Sequence, residues 1–337
     1  MNNNQKSPKE LLRNPTGQAN LKNHFVTGGA GFIGSHLADR LLKEGKNVTV
    51  YDNLALASDE NIKNHFGEKN FNFIKADLLN FDTLKKSMEG QDVIWHLGAN
   101  TDIPGGNKIT DKDLKNCTIA TRNVLEAMRQ LGLNKILFTS SACVYGDAPA
   151  VSLSENYGPL LPISLYGAGK LAGEGLMSAY SHLFGIQAWI FRFANVVGEG
   201  MNHGVIFDFI QKLRKNPKEL EILGDGKQEK PFFLVEDCVE GMIHAFKNAK
   251  FEAADRQYDV FNLGCESFTS VDKVAEIVIE EMGFKNVKIN HTGGRRGWVG
   301  DVPVVHFSIE KMKKLDWQPK YSSDEAVRIA CQRLLKS

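Results

Sequence analysis

The sequence has no long apolar run, no excess of one charge and few cysteines, and each absence excludes a class of protein. No segment approaches the roughly 18 continuous apolar residues of a membrane-spanning helix, so we predict no membrane span. The 41 basic and 40 acidic residues leave a formal net charge of +1, which gives no general attraction to nucleic acid. The five cysteines are scattered and form no Cys-x-x-Cys pair, which indicates a reducing cytoplasm and no structural zinc.

The first residues of the chain lack the pattern of a targeting signal. The first 20 residues are polar and contain no apolar core, unlike a secretory signal. Their Asn, Lys and Pro content predicts a flexible tail over residues 1–20. The remaining length suits a large domain with a smaller lobe.

Strand and helix patterns alternate after the tail. A strand at 24–27 enters a glycine-rich turn, a helix with apolar residues at spacing four follows, and a strand at 47–51 ends at Asp52. The later members of the series are strands at 71–75, 92–97, 135–140 and 187–193 and helices at 83–88, 118–131 and 167–184. Strand–turn–helix–strand is the unit of a parallel sheet, so the alternation predicts an α/β fold with such a sheet.

The glycine-rich turn has the spacing of a nucleotide-binding site. Glycines at 28, 31 and 34 follow a strand and open a helix, which is the context that such a motif requires. Gly28 allows the tight turn, Gly31 lets the backbone approach a pyrophosphate, and Gly34 lets the helix pack close to the strand. The helix N-terminus would then direct its free N–H groups at the phosphates. A glycine-rich turn without a ligand is the alternative.

Acidic residues end the next two strands. Asp52 can accept both ribose hydroxyls of an adenosine and would repel a 2′-phosphate, so the sequence favours NAD over NADP. Asp77 and Leu78 follow the third strand and are candidates for contacts with the adenine. A simple cap at the strand end is the alternative for Asp77.

A tyrosine, a lysine and two serines form a candidate catalytic set. Tyr166 and Lys170 are one helical turn apart and project from the same helix face. An ammonium beside a phenol favours the phenolate, so we expect Lys170 to lower the pKa of Tyr166 from about 10 and make it a proton acceptor. Ser140 and Ser141 end the strand that precedes this helix, and capping of the strand end is the alternative for both.

These segments make the chain resemble the extended short-chain dehydrogenase/reductase family, and within it the nucleotide-sugar epimerases of the UDP-glucose 4-epimerase type. The segments that carry the resemblance are 28–34, 52–53, 77–78, 96–99, 138–146, 166–170, 192–198 and 294–303. The resemblance implies a Rossmann-type, doubly wound parallel sheet, a tightly held NAD, a nucleoside-diphosphate sugar in the cleft and a homodimer.

A change of rhythm after residue 195 predicts a second lobe, because loops there grow longer. We expect residues 21–195 with about 229–265 to form the NAD-binding domain. Residues 196–228 with 266–337 would form a smaller C-terminal α/β lobe that binds the nucleotide sugar.

The resemblance also implies roles for individual residues. Ser141 would hydrogen-bond the reacting sugar oxygen, Tyr166 would remove its proton while hydride leaves for the nicotinamide, and Lys170 would bind the nicotinamide ribose. The residues implied as NAD contacts are Gly28, Gly31, Phe32, Ile33, Gly34, Asp52, Asn53, Asp77, Leu78, Leu97, Gly98, Ala99, Asn116, Tyr166 and Lys170. The residues implied as substrate contacts are Ser141, Asn195, His203, Val205, Lys230 and Arg296, with Arg295 as the alternative to Arg296.

The residues after Ser141 separate possible reactions. Sugar dehydratases and decarboxylases carry an acidic residue in the next two positions, whereas this chain has Ala142 and Cys143, which argues against dehydration. Cys143 replaces the usual threonine and resembles GDP-sugar epimerases that invert carbons 3 and 5, where a thiol is the acid or base. His203 could be its partner, and simple packing is the alternative for Cys143.

Three functions therefore stay open. The first is an NAD-dependent nucleotide-sugar epimerase acting at carbon 4. The second is a net 4-dehydrogenase or a 3/5-epimerase that uses Cys143, and the third is a non-catalytic NAD-binding regulator. The complete set of Ser141, Tyr166 and Lys170 favours an enzyme.

Overall fold

The structure is a computed structural model that describes residues 21–106, 108–149, 151–251, 257–298, 300–302 and 304–336. The predicted tail over residues 1–20 lies outside these ranges. The strands are β1 (Asn23–Thr27), β2 (Asn47–Asp52), β3 (Phe71–Lys75), β4 (Val93–His96), β5 (Lys135–Ser141), β6 (Ser152–Leu153), β7 (Gln187–Phe193), β8 (Asn195–Val197), β9 (Glu219–Ile222), β10 (Glu229–Lys230), β11 (Phe232–Leu234), β12 (Tyr258–Leu263), β13 (Thr269–Ser270), β14 (Lys288–His291) and β15 (His306–Phe307). The helices are α1 (Phe32–Lys43), α2 (Phe81–Ser87), α3 (Ile103–Gly106), α4 (Asp111–Asp113), α5 (Ala120–Leu131), α6 (Leu165–Phe184), α7 (Val205–Lys215), α8 (Val235–Asn248), α9 (Val271–Glu281), α10 (Glu310–Lys313) and α11 (Ser323–Lys336).

A seven-stranded sheet forms the centre of the fold, in the order β12-β7-β5-β4-β1-β2-β3. Every pair of neighbours in it runs parallel. The chain starts in the middle at β1 and winds outward in both directions, which confirms the predicted doubly wound α/β fold of the Rossmann type. Ligands of such sheets bind at the carboxyl ends of the strands where the winding changes direction, here β1 and β4.

Apolar residues cover both faces of this sheet. Successive residues of a strand point to opposite faces. Val26 accordingly joins the core beneath α1 and α8, whereas Phe25 joins the core beneath α2, α5 and α6. A separate apolar core lies among α7, α9 and α11. Residues 302–317 contribute Val302, Met312 and Trp317 to the core beneath α1 and α8. The division into an NAD-binding domain and a substrate lobe stays a prediction.

The start of α6 fixes the place of the predicted catalytic pair. The Ser164 side chain accepts a hydrogen bond from the Gly167 amide at 3.1 Å, which caps the helix. Tyr166 therefore lies in the first turn of α6, and Lys170 lies one turn later. The helix ends at Gly185, whose φ of +68° is left-handed and suits glycine.

The predicted helix at 118–131 is longer in the structure. A π-helical turn, Leu114–Ile119, precedes α5 and carries Asn116. Such turns occur frequently at functional sites. Within the described ranges, no helix is long and apolar enough to cross a membrane.

Candidate active site

The glycine turn between β1 and α1 is packed tightly against its surroundings. Gly28 has a φ of +66°, and a Cβ atom there would lie 2.8 Å from the amide nitrogen of Gly98. A Cβ atom at Gly34 would lie 2.2 Å from the carbonyl oxygen of Gly28. Only glycine fits both positions, so α1 begins directly against the turn and its first amides face the carboxyl edge of the sheet.

Asp52 lies at the end of β2 beside this turn. Its carboxylate accepts hydrogen bonds from the Leu54 amide at 2.8 Å and the Ala30 amide at 3.2 Å. Burial raises the pKa of the Asp52 carboxyl, and the two amides act in the opposite direction. The second amide belongs to the glycine turn, so the Asp52 carboxylate lies beside the start of α1.

Asp77 follows the end of β3 and is hydrogen-bonded to the segment that follows Asp52. Asp77 accepts a bond from the Asn53 side chain at 2.9 Å and one from the Leu79 amide at 2.8 Å. A Cβ atom at Gly98 would lie 2.7 Å from Cδ1 of Leu78, so the loop after β4 lies against this segment. The remaining predicted cofactor contacts Phe32, Ile33, Leu97 and Ala99 are half-buried along this rim.

His96 ends β4 and is fully buried. Its ring lies between the Thr27 hydroxyl at 2.7 Å and the Thr121 hydroxyl at 3.0 Å. Burial lowers the pKa of His96 to about 3, with a smaller contribution from Lys170. The ring is therefore neutral and supports the edge of the sheet without acid–base chemistry.

Ser141 and Tyr166 come together at the end of β5. The two side chains are hydrogen-bonded, and this bond favours the phenolate of Tyr166. Both side chains are half-buried. Ser141 also accepts a bond from the Cys143 amide at 3.2 Å, in the 3₁₀ turn Ala142–Tyr145 that follows β5. The phenol thus points at the serine rather than into solvent.

Lys170 lies behind Tyr166 in a buried position. Its ammonium donates to the Thr139 carbonyl at 2.6 Å and lies 5.7 Å from the centroid of the Tyr166 ring. The Lys170 side chain is 2% exposed, and this burial lowers its pKa. The charges of Cys117, Cys143 and Glu174 act in the opposite direction.

The prediction that Lys170 lowers the pKa of Tyr166 is wrong, because this pKa is raised in the structure. Burial raises the pKa of Tyr166 well above its usual value near 10, and the Ser141 hydrogen bond offsets only part of this. The ammonium of Lys170 is bonded to the Thr139 carbonyl, away from the phenol oxygen. Desolvation of the phenolate therefore exceeds the effect of the neighbouring lysine.

Cys143 lies in the same cluster. Burial raises the pKa of its thiol, and a hydrogen bond to Ser141 and the charge of Lys230 act in the opposite direction. The thiol is thus protonated and close to the Ser141 hydroxyl. A protonated thiol can donate a proton but cannot accept one.

Lys230 and Arg296, the two cations predicted as substrate contacts, are both bonded to acidic residues. The Lys230 ammonium lies 2.8 Å from Oδ1 of Asp301 and also bonds the Val302 carbonyl. Arg296 donates to Asp147 at 2.6 Å and to the Asp301 carbonyl at 2.5 Å. The structure therefore brings both cations to Asp301, and an anionic ligand would compete with Asp147 for Arg296.

Several other predicted contacts are dispersed. Asn116 donates to the Lys112 carbonyl at 2.8 Å within its own helical segment. His203 is exposed and pairs with the Asn202 side chain at 2.8 Å, and the described contacts do not bring it to Cys143. Asn195 is exposed at the start of β8, and Val205 is half-buried at the start of α7.

A buried polar cluster behind the serine was not predicted. Glu174 of α6 binds both Ser140 and Arg192, at 2.5 Å and 2.7 Å. One signal in the sequence could have indicated it, since Glu174 follows Lys170 by four residues and so lies on the same buried face.

The chain is similar to known proteins in both sequence and fold. A model of the NAD dependent epimerase/dehydratase family matches residues 24–264. The crystal structure of a UDP-galactose 4-epimerase is 37% identical with a TM-score of 0.82, over 93% of this chain and 98% of that one. A UDP-glucuronic acid 4-epimerase from Bacillus cereus, solved with UDP-glucuronic acid and NAD, is 28% identical with a TM-score of 0.82, over 93% and 99%.

A third relative carries out a different inversion. The GDP-mannose 3,5-epimerase of Arabidopsis thaliana is 31% identical over 339 residues, which covers 95% of this chain and 84% of that protein.

Proposed function

The chain belongs to the NAD-dependent epimerase/dehydratase family, and from this premise we propose that it inverts carbon 4 of a UDP-linked sugar. It is an NAD-dependent nucleotide-sugar epimerase of the extended short-chain dehydrogenase/reductase type. The observation that carries the proposal is the contact between Ser141 and Tyr166 at the carboxyl end of β5, two strands from the glycine turn. The choice of UDP is supported by the two 4-epimerases to which the chain is similar.

The carboxyl edge of the sheet fits NAD. Gly31 precedes α1 and has no side chain that could cap it, so the first amides of α1 are free for a pyrophosphate. The Asp52 carboxylate lies beside this helix start, where it suits a ribose diol and repels a 2′-phosphate. The glycine turn, the start of α1 and Asp52 would hold NAD, which would supply reversible hydride exchange with the sugar carbon.

The chain's own residues would handle the proton. Ser141 would hold the oxygen at carbon 4, and Tyr166 would take the proton of that oxygen and later return it. Because burial raises the pKa of Tyr166, proton transfer requires nearby positive charge, and Lys170, 5.7 Å from the centroid of the Tyr166 ring, is the cation that this chain places closest to the ring among its described contacts. The half-buried cleft limits the access of water to the transiently oxidised sugar.

A second candidate function is inversion at carbons 3 and 5. The hydrogen bond between Cys143 and Ser141 favours it, because the thiol lies next to the reacting group. The raised pKa of the thiol restricts Cys143 to proton donation unless substrate binding alters its surroundings. Such a reaction also needs a base, and the described contacts of His203 do not place it there.

A second copy of the chain is the proposed partner of α6. The exposed stripe of this helix is uncharged and consists of Leu165, Ala168, Ala172, Gly175, Ala179 and Leu183. Ile119, 41% exposed, lies on the neighbouring π turn. A small-residue helix face of this length suits close helix packing, so we propose a homodimer that places this face at its centre. Sedimentation analysis would test it, with Ala172→Arg expected to give monomers.

A cytoplasmic location stays a prediction.

Product analysis in heavy water tests the reaction. Each of UDP-glucose, UDP-glucuronic acid and GDP-mannose would be incubated with the protein in D₂O and the products identified by NMR. We expect a 4-epimer of a UDP-sugar with no solvent deuterium on carbon, because the same hydride returns. Deuterium at carbon 3 or 5 would support the second candidate, and Cys143→Ser should then abolish turnover. No product from any sugar would contradict both.

A further inference from the structure

A buried ion pair ties α6 to β7 directly behind the catalytic serine. Glu174 accepts hydrogen bonds from Nε and Nη2 of Arg192, at 3.0 Å and 2.7 Å. Ser140 donates to the same carboxylate at 2.5 Å. The side chains of Glu174 and Arg192 are 8% and 4% exposed. This fork-shaped pairing fixes the orientation of the carboxylate, since both of its oxygens are bonded.

The arginine is itself fixed by the sheet. Ser140 of β5 lies opposite Arg192 of β7, and Arg192 lies opposite Asn262 of β12. On the side away from α6, Nη1 of Arg192 donates to the Tyr145 hydroxyl at 3.1 Å and the Glu155 carbonyl at 3.2 Å. The pair therefore connects α6 to a rigid row across three strands.

Glu174 is the last of three polar residues that α6 directs at β5. Tyr166, Lys170 and Glu174 follow one another at intervals of four along one face of the helix. Each reaches a different residue of the segment 139–141 at the end of β5. The site residue Tyr166 and the ion pair thus belong to one set of contacts between the same two elements.

The helix depends on these contacts for its position. A Cβ atom at Gly169 would lie 2.8 Å from Cβ of Cys117, and one at Gly173 would lie 2.6 Å from Cζ of Phe138. These glycines allow α6 to approach its neighbours closely. Glycine also lowers helix propensity, so side-chain contacts have to hold this part of α6 in place.

We propose that Glu174 is a positioning residue that, through Ser140 and Arg192, fixes α6 against β5 and keeps Tyr166 at Ser141. The inference rests on the proposed function, because the reaction is assigned there to Tyr166 and Ser141. Glu174 acts through the helix and does not touch the reacting atoms. Buried ion pairs can often be replaced without loss of stability. We therefore assign the pair of Glu174 and Arg192 the role of holding a specific geometry.

Two hydroxyl deletions at opposite ends of this network test the proposal. Ser140→Ala removes the bond to Glu174 and leaves the ion pair intact, whereas Tyr145→Phe removes a bond from Arg192 on the side away from α6. We expect Ser140→Ala to lower kcat about tenfold or more with KM nearly unchanged, because small misplacements of reacting groups slow chemistry. Tyr145→Phe should leave kcat unchanged, and Ser140→Thr should restore it.

Hydrogen exchange gives a readout that is independent of substrate. The two variants would be compared under conditions that give them the same free energy of unfolding. The backbone amides of residues 165–175 should then exchange faster in Ser140→Ala than in Tyr145→Phe. Equal kcat for Ser140→Ala and the unaltered protein, or equal losses in both variants, would overturn the proposal. If the unaltered protein converted no nucleotide sugar, the proposed function would fail, and the exchange comparison would still decide whether Ser140 holds α6.

Discussion

The predicted cofactor contacts and the predicted substrate contacts, here the cofactor side and the substrate side, differ in what holds their polar groups. On the cofactor side the positions are set by backbone and by buried contacts, such as the turn at Gly28 and the bond from Lys170 to the Thr139 carbonyl. On the substrate side, Arg296 and Asp147 are 35% and 39% exposed and bond each other. Exposed ion pairs of this kind contribute little to stability, at most about 1 kcal/mol, and can exchange partners.

This difference has a chemical meaning. NAD stays in place during the proposed reaction, so a rigid site suits it. A nucleotide sugar has to enter and leave, so an arginine that an exposed carboxylate holds loosely can be transferred to a diphosphate. The substitutions below are expected to have their largest effects on the buried side and their smallest on the exposed side.

Tyr166→Phe should have the largest effect on activity. Removal of a proton-transferring group lowers kcat by about 10² to 10⁴-fold, whereas the bound NAD should be retained. The control is Tyr180→Phe on the same helix, whose hydroxyl donates to Glu126 at 3.2 Å away from the site. Steady-state kinetics with measured NAD content would decide, and substantial turnover by Tyr166→Phe would remove it from the proton-transfer role.

The two buried histidines of the central sheet should make the protein less stable in mild acid. Burial lowers the pKa of His24 to about 4 and that of His96 to about 3, from 6.5. The unfolded chain binds protons at these residues below pH 6.5 and the folded protein does not, so the free energy of unfolding falls with pH. We expect a loss of about 2 kcal/mol per residue at pH 5.

Urea unfolding at pH 7 and pH 5 would measure this loss. His182→Gln, an exposed position on α6, is the control and should leave the difference between the two pH values unchanged. A free energy of unfolding that is the same at both pH values would contradict the neutral state of the two buried rings.

Gly34→Ala should damage the cofactor side through a steric clash. Its Cβ atom would lie 2.2 Å from the Gly28 carbonyl oxygen, so α1 or the turn has to move, at a cost of about 1–3 kcal/mol. Gly45→Ala is the control, because that position has a φ of +74° but open space around it. It should cost only backbone strain and leave the NAD dissociation constant unchanged. Equal NAD affinity in Gly34→Ala would show that the close approach is not needed.

Arg296→Ala should have the smallest effect. Loss of one charged contact to the diphosphate is expected to raise KM for the nucleotide sugar about tenfold, with kcat little changed. Arg295→Ala is the matched control, since Arg295 is the exposed neighbour. A larger rise in KM for Arg295→Ala would reverse the assignment of the two arginines.

Residues that are close in sequence were predicted well. The glycine turn, the strand end at Asp52 and the pairing of Tyr166 with Lys170 on one helix face all depend on spacing along a short segment. The predicted strands at 71–75 and 187–193 have the observed bounds. The π-helical turn at 114–119 was missed, because its apolar spacing is that of an ordinary helix.

Pairings between distant residues were not predicted. Arg296 was predicted as a substrate contact, and nothing in the sequence indicated its ion pair with Asp147, which is 149 residues away in the chain. Glu174 and Arg192 are 18 residues apart on different elements, so no local pattern joins them. Such contacts exist only once the sheet has brought its strand ends together.

The amino-acid sequence by itself determined the order of strands and helices, the nucleotide turn and the presence of a serine, a tyrosine and a lysine suited to sugar oxidation. These properties follow from local backbone preference and residue spacing. Only the tertiary structure decided the raised pKa of Tyr166, the partners of the cationic residues and the ion pair behind Ser141. The physical reason is that desolvation and ion pairing depend on which distant groups surround a side chain.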